Sequence, residues 1–338
     1  MRPHEVKSRG VVKVAVIGAG AVGGLVGGLL AEAGEDVTLI GRAAQVEAIR
    51  DRGLRLSGVG GERVVRVEAQ ETLEERPDLA IFAMKTQDLA AACSEASLVV
   101  GGAPVVTMQN GLQCDHIASR HFAPEQVVGC VVYSMATFLE PGKIECGVSG
   151  WLTIGDPFSQ RPSRLREIKR TLEKALPTRI SRDIAASRRT KLVTNLNNAL
   201  PAVAGRPLQE IYFSEQASNL PLRLMSEGLQ TLSAAGLGLD HSAQAQAMRL
   251  VSRLPESVPA TLFRAASKTR LGGIPMFGST WQSVMRGSPT EVDYLNGEIV
   301  ALGERTGRPT PYNARVVELV HEVVRSGSFL PLEELWPV

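Results

Sequence analysis

Short apolar runs rich in valine and isoleucine alternate with helix-spaced stretches through the first half of the chain, and the alternation ends near Ser181. Val14–Ile17, Val37–Ile40, Val64–Val67, Leu79–Ala83, Val105–Met108 and Val127–Val132 read as strands, with helical segments between several of them. That order predicts a mainly parallel, doubly wound sheet with helices on both faces. Lys143–Cys146 and Trp151–Ile154, separated by Gly147-Val148-Ser149-Gly150, read as a hairpin at the sheet edge. A loop with two prolines covers 155–163, and a helix is expected over 164–176. Beyond it, spacing predicts helices over 183–200, 215–236, 241–254, 256–268, 279–286, 289–307 and 312–326.

The first of the αβ units carries chemistry. Gly18-Ala19-Gly20-Ala21-Val22-Gly23 follows the strand Val14–Ile17, opens an apolar helix, and precedes a second strand within about the thirty residues such a unit needs. The three glycines permit a tight turn, close approach of a pyrophosphate to the backbone, and close helix–strand packing. The free amides at the helix start then face phosphate charge. The fold expected is therefore α/β: an N-terminal Rossmann-type doubly wound sheet over 12–182, followed by a mostly α-helical C-terminal domain over 183–338. Ligands of such sheets bind outside the carboxyl ends of the strands, so substrate is expected in a crevice closed by the helical half.

Val14–Ala31 is also an uncharged run of eighteen residues, long enough to suggest a membrane span or signal. Its six glycines and embedded phosphate loop favour a buried helix instead. With 44% hydrophobic and 21% charged residues, the composition is that of an ordinary globular protein. A net charge of +2 speaks against nucleic acid as a partner. The four cysteines have no metal-type spacing and read as buried thiols of a reducing, cytoplasmic compartment. No histidine falls in a metal spacing and no nucleophile elbow is present, so neither metal nor hydrolytic chemistry is expected. A homodimer is considered only because dimers are the commonest soluble assembly.

Several residues invite a role. Arg42 follows the second strand where an NAD site usually has a carboxylate; an arginine there suits the 2′-phosphate of NADP, or is a solvated loop residue. Lys85 emerges at the carboxyl end of a buried strand, and Asn110-Gly111 follows another. Each sits where cofactor and substrate would meet, and each also reads as an ordinary strand exit or turn. Only eight of the 37 basic residues are lysine, so Lys191 in an apolar stretch needs a reason. On an unbroken helix Lys191, Asn195 and Asn198 fall at about 0°, 40° and −20°, one narrow face. Such a stripe is a solvated face, or a buried one with a ligand as partner; the lysine would suit a general acid. Ser288-Pro289-Thr290-Glu291 reads as a capping box, which alone accounts for Glu291. Ser279 reads as a loop or helix-start residue.

Together these residues resemble the ketopantoate reductase family from Lys13 to about Val324. The glycine loop matches Gly18 to Gly23, the 2′-phosphate arginine Arg42, and the strand-end lysine Lys85. Asn110 matches an asparagine touching cofactor and substrate. The Lys-x-x-x-Asn pattern matches Lys191 and Asn195; Ser279 and Glu291-Val-Asp-Tyr-Leu-Asn-Gly match the substrate serine and a late signature. Ala136 matches, loosely, a loop alanine on the nicotinamide side.

The resemblance implies NADPH-dependent reduction of 2-dehydropantoate (ketopantoate) to pantoate. Lys191 would donate the proton, Glu291 would help place the lysine or the cofactor ribose, and Asn195 and Ser279 would hold substrate. The family's second substrate asparagine, eight residues after the lysine, is Ala199 here; Asn198 is a substitute. The alternatives are the same chemistry on another branched 2-oxo acid, and an NADP-sensing protein without turnover.

Overall fold

The computed structural model describes residues 10–158, 161–214, 217–251 and 276–335. By contacts the chain forms two units, Asn110–Gln113 grouping with the residues from Ala185 onward rather than with the strands on either side of them in sequence. The first unit holds, in order, β1 (Lys13–Ile17), α1 (Ala21–Glu32), β2 (Asp36–Ile40), α2 (Ala43–Arg52), β3 (Leu54–Gly58), β4 (Arg63–Val65), β5 (Glu68–Gln70), β6 (Leu79–Phe82) and α3 (Thr86–Val100). It continues with β7 (Val105–Thr107), α4 (Cys114–Ala118), β8 (Val127–Val132), β9 (Met135–Glu140), β10 (Lys143–Val148), β11 (Leu152–Gly155), α5 (Pro162–Leu172) and β12 (Thr178–Ile180).

Eight of these strands form one sheet in the order β12-β11-β8-β7-β6-β1-β2-β5. Every neighbouring pair is parallel except β11 with β8. The central strands β6 and β7 are buried at every position, as a sheet covered on both faces requires. A second sheet of four strands, β4-β3-β10-β9, mixes parallel and antiparallel pairs.

Helix α1 lies between the two sheets. A methyl group added at Gly27 would sit 2.4 Å from Leu39 Cδ2 of the large sheet, and one at Gly24 would sit 2.0 Å from Ile144 Cδ1 of the small one. The helix is thus apolar on opposite sides because both are covered, which accounts for the uncharged run from Val14. Among the described residues, no helix is long and apolar enough to cross a membrane.

Three sequence expectations change here. Lys143–Cys146 and Trp151–Ile154 do not pair as a hairpin: β10 pairs with β9 and β3 in the small sheet, whereas β11 pairs with β8 and β12 in the large one. The glycine-rich link between them carries the chain from one sheet to the other. The expected strand Val64–Val67 shortens to Arg63–Val65 and joins the small sheet. Ala136, expected in a loop, lies within β9 opposite Cys146 and packs on the core.

The second unit is helical: α6 (Ile184–Asn195), α7 (Ala199–Ala204), α8 (Leu208–Phe213), α9 (Leu220–Ala234), α10 (Ala243–Val251), α11 (Gly278–Met285), α12 (Asn296–Thr306) and α13 (Pro311–Ser326). The helix expected over 256–268 lies outside the described residues. The helix expected over 183–200 instead tightens to a 3-10 turn at Leu196–Asn198 and resumes as α7. Pro201 accounts for the break, since its ring excludes the carbonyl four residues back and donates no hydrogen bond. The segment expected as one helix over 289–307 is a 3-10 turn, Val292–Tyr294, followed by α12. No capping box forms at Ser288–Glu291; the Ser288 N–H donates to Ser283 O at 2.9 Å.

A buried polar chain runs through the core of this unit. Glu227 accepts from the Tyr312 and Asn313 amides at the start of α13 and from Asn313 Nδ2. Asn296 Nδ2 donates to Asn313 Oδ1 at 2.9 Å and to Leu196 O at 3.1 Å. Most buried polar groups are partnered in this way, and the last bond fixes the carbonyl at the 3-10 turn.

Candidate active site

In the first unit, the turn after β1 is stitched to β2: the Gly18 and Ala19 N–H groups both donate to Ile40 O at 2.9 Å. Gly18 has φ +104, and a Cβ there would meet Met84 N at 2.5 Å, so only glycine lets β1 and β6 end side by side. Gly20, which begins α1, differs: a Cβ there would meet nothing within 4 Å. No side chain caps α1, and its first-turn amides, those of Ala21, Val22 and Gly23, have no carbonyl of the helix itself to bond to. The uncompensated amides at a helix start carry partial positive charge, which favours an anion.

Lys85 stands at the N-cap position of α3, just past Met84 and so beside the Gly18 turn. Two residues missed by sequence reading hold this mouth in shape. Gln109 Nε2 donates to Phe82 O at 2.9 Å and Met84 O at 3.2 Å, fixing the segment that leads to Lys85. Gln45 Nε2 donates to Ala19 O at 2.9 Å, while its Oε1 accepts from Gly142 N at 2.7 Å. Arg42 stands at the N-cap of α2 with its guanidinium 3.7 Å from the Asp88 carboxylate.

In the second unit, Lys191 and Asn195 lie one turn apart on α6. Asn195 is buried and donates from Nδ2 to Asn110 Oδ1 at 3.1 Å. Burial pushes the Lys191 ammonium below the ordinary lysine pKa, desolvation being the cause. Asn198 departs from the expected stripe. Three residues of 3-10 turn advance it about 60° beyond its place on an unbroken helix. Its side chain lies against the backbone of Gly278, where a Cβ would sit 2.8 Å from Asn198 Oδ1. Asn198 is thereby brought beside Ser279, an exposed residue in the first turn of α11.

The segment Asn110–Gln113 is pinned at several points within this unit. Gly111 has φ +87 and is pressed against Tyr294, where a Cβ would fall 2.6 Å from the carbonyl oxygen. Gln113 Nε2 donates to Glu298 Oε2 at 2.7 Å. Burial raises the Glu298 pKa, and the Gln113 bond partly offsets it. Tyr294 and Asn296 belong to the late signature, so that stretch supports both Asn110 and the turn after Asn195. Glu291 is half-buried and stands just before its 3-10 turn without closing a capping box. The four cysteines are buried, and burial pushes the Cys93 thiol up to about 12, far from nucleophilic use.

The family model described as "Ketopantoate reductase PanE/ApbA" matches residues 14–157, and its C-terminal counterpart matches residues 183–324. A 2-dehydropantoate 2-reductase of Pyrococcus horikoshii is 27% identical over 312 residues, covering 91% of this chain and 96% of that protein. The crystal structure of a PanE/ApbA family ketopantoate reductase from Ralstonia eutropha is similar with a TM-score of 0.77 and 29% identity, over 93% of this chain and 99% of that one. D-mandelate dehydrogenase, solved with NADH and anilino(oxo)acetate, superposes with a TM-score of 0.81 at 22% identity, over 93% of this chain and 99% of that one; that likeness is one of fold.

Proposed function

Since the chain belongs to the ketopantoate reductase family of nicotinamide nucleotide-dependent oxidoreductases, we propose that it reduces ketopantoate to pantoate with NADPH. The observation that carries this reading is the α6 pair: a lysine with a burial-lowered pKa one turn from an asparagine that is hydrogen-bonded to Asn110. A buried ammonium is a stronger acid than an exposed one, which brings its proton within reach of a ketone oxygen that is gaining charge. Held there, a reduced nicotinamide nucleotide would supply the hydride for the 2-keto carbon.

Every other role falls to the chain's own groups. Open space at Gly20 and the first-turn amides of α1 suit the pyrophosphate. Arg42 suits a 2′-phosphate, Lys85 suits the cofactor at the end of β6, and Asn110 is assigned contact with cofactor and substrate. Asn195 orients the substrate beside Lys191, and Ser279 with Asn198 receives its carboxylate end. Glu291 steadies the lysine or the ribose, whereas Ala136, packed on the core from β9, is left with only a backbone contact to offer the nicotinamide side.

A second reading keeps the chemistry and changes the acid. Ala199 stands where the resemblance expects a second substrate asparagine, and Asn198 is engaged with Gly278, so the pocket is shaped differently there. NADPH oxidation followed with ketopantoate, pyruvate and 2-oxoisovalerate tests both. Ketopantoate is expected to give the highest kcat/KM. Another acid ahead by tenfold or more overturns the substrate assignment; nucleotide binding without reduction of any acid leaves a sensor.

A further inference from the structure

Arg42 and Asp88 form an exposed charged contact beside the glycine turn. Their charged atoms lie 3.7 Å apart, with side-chain exposures of 92% and 52%. Their places in the sheet give the contact meaning. Strand order around the turn is β6-β1-β2. Arg42 follows β2, Asp88 is the third residue of α3 after β6, and β1 with its glycine turn lies between. The pair therefore reaches across the carboxyl end of β1, with Arg42 at the end of β2, where a dinucleotide in a sheet of this kind would place its adenosine ribose.

We propose that Asp88 sets the nucleotide preference of this chain by competing with a 2′-phosphate for Arg42. The inference rests on the nucleotide reading above and adds a residue to it. A 2′-phosphate must draw the guanidinium away from a carboxylate that stays nearby and repels it. A 2′-hydroxyl meets no such repulsion and finds in Asp88 an acceptor of the kind NAD sites place beside the ribose. Because both side chains are exposed, the pair is weak and Arg42 is free to change partners. The competing role for Asp88 is a carboxylate in the first turn of α3, favoured by the helix dipole; that role acts on stability and leaves nucleotide choice alone.

Dissociation constants for NADPH and NADH, read from nucleotide fluorescence on binding, test this on the wild-type protein and on Asp88→Asn, Asp88→Ala and Asp88→Glu. Both neutral variants are expected to bind NADPH about three- to tenfold more tightly, with NADH unchanged or weaker. Asp88→Glu is expected to stay near wild type. An unchanged ratio of the two constants in folded Asp88→Asn overturns the proposal, as does failure of both neutral variants to fold, which makes the carboxylate structural. A wild-type protein that binds neither nucleotide defeats the nucleotide reading itself, a result distinct from an unchanged ratio.

Discussion

Asn195 Nδ2 donates to Asn110 Oδ1 across 3.1 Å, joining α6 to a segment 85 positions earlier in the chain. Replacing Asn195 by alanine leaves Asn110 without this donor, at a cost of about 1–3 kcal/mol. If both residues face substrate, kcat/KM is expected to fall about 5- to 150-fold, mostly through KM for the oxo acid. Steady-state kinetics at saturating NADPH measure it, and an Asn195→Ala enzyme with wild-type kcat/KM shows that the pair is only structural.

Two glycines of the same turn are expected to behave oppositely. Gly20→Ala adds a methyl group where no atom lies within 4 Å, so thermal unfolding should scarcely move while nucleotide affinity collapses. Gly18→Ala places a Cβ at φ +104 and 2.5 Å from Met84 N, so the fold itself should suffer, by roughly 1–3 kcal/mol or more. Melting curves with and without NADPH separate the two. Equal destabilisation by both, or full nucleotide affinity in Gly20→Ala, contradicts the reading of Gly20 as the place of close approach.

The part of the fold that sequence made legible is the part with strong local signals. The runs Val14–Ile17 and Leu79–Ala83 are apolar throughout because the strands are covered on both faces, and the glycine turn between β1 and α1 is local chemistry. The small sheet was poorly legible. β3 and β9 are short and half-exposed, and Gly147–Gly150 has the composition of a hairpin turn although its flanking strands pair elsewhere. Lys191, Asn195 and Asn110 stood out by residue type and place. The bonds that support the two parts of the site did not, because they are long-range: Asn296, seen only as part of a motif, reaches Leu196 O across 100 positions, and Gln45 beside the glycine turn reaches Gly142 across 97. The shift of Asn198 depends on Pro201, whose effect on the preceding turn a regular helical wheel ignores.

Asn296→Ala removes the donor for Leu196 O and Asn313 Oδ1 together. Two buried acceptors without partners should cost about 2–4 kcal/mol, with turnover falling as the turn after Asn195 loosens. Chemical denaturation gives the first quantity. A loss below about 0.5 kcal/mol shows that relaxation or water meets the lost bonds.

Lys191 fixes the expected pH dependence. Its pKa is lowered by burial, and a general acid acts only while protonated, so kcat should decline with rising pH, with a midpoint below the ordinary lysine value. Lys191→Arg holds its charge to far higher pH, so its residual activity should lose that alkaline decline. Stability carries the opposite sign. Between the lowered and the ordinary pKa the unfolded chain binds the proton more tightly, so stability rises with pH across that window. A rate profile flat to the ordinary lysine pKa excludes Lys191 as the acid.

The most direct measurement takes wild-type and Lys191→Ala protein, determines the NADPH dissociation constant of each, and follows NADPH oxidation by ketopantoate on the same samples. The expected result is a fall in kcat of about 10²- to 10⁴-fold with nucleotide affinity nearly unchanged. Unaltered turnover, or a rate that falls only in step with lost NADPH binding, contradicts proton donation by Lys191.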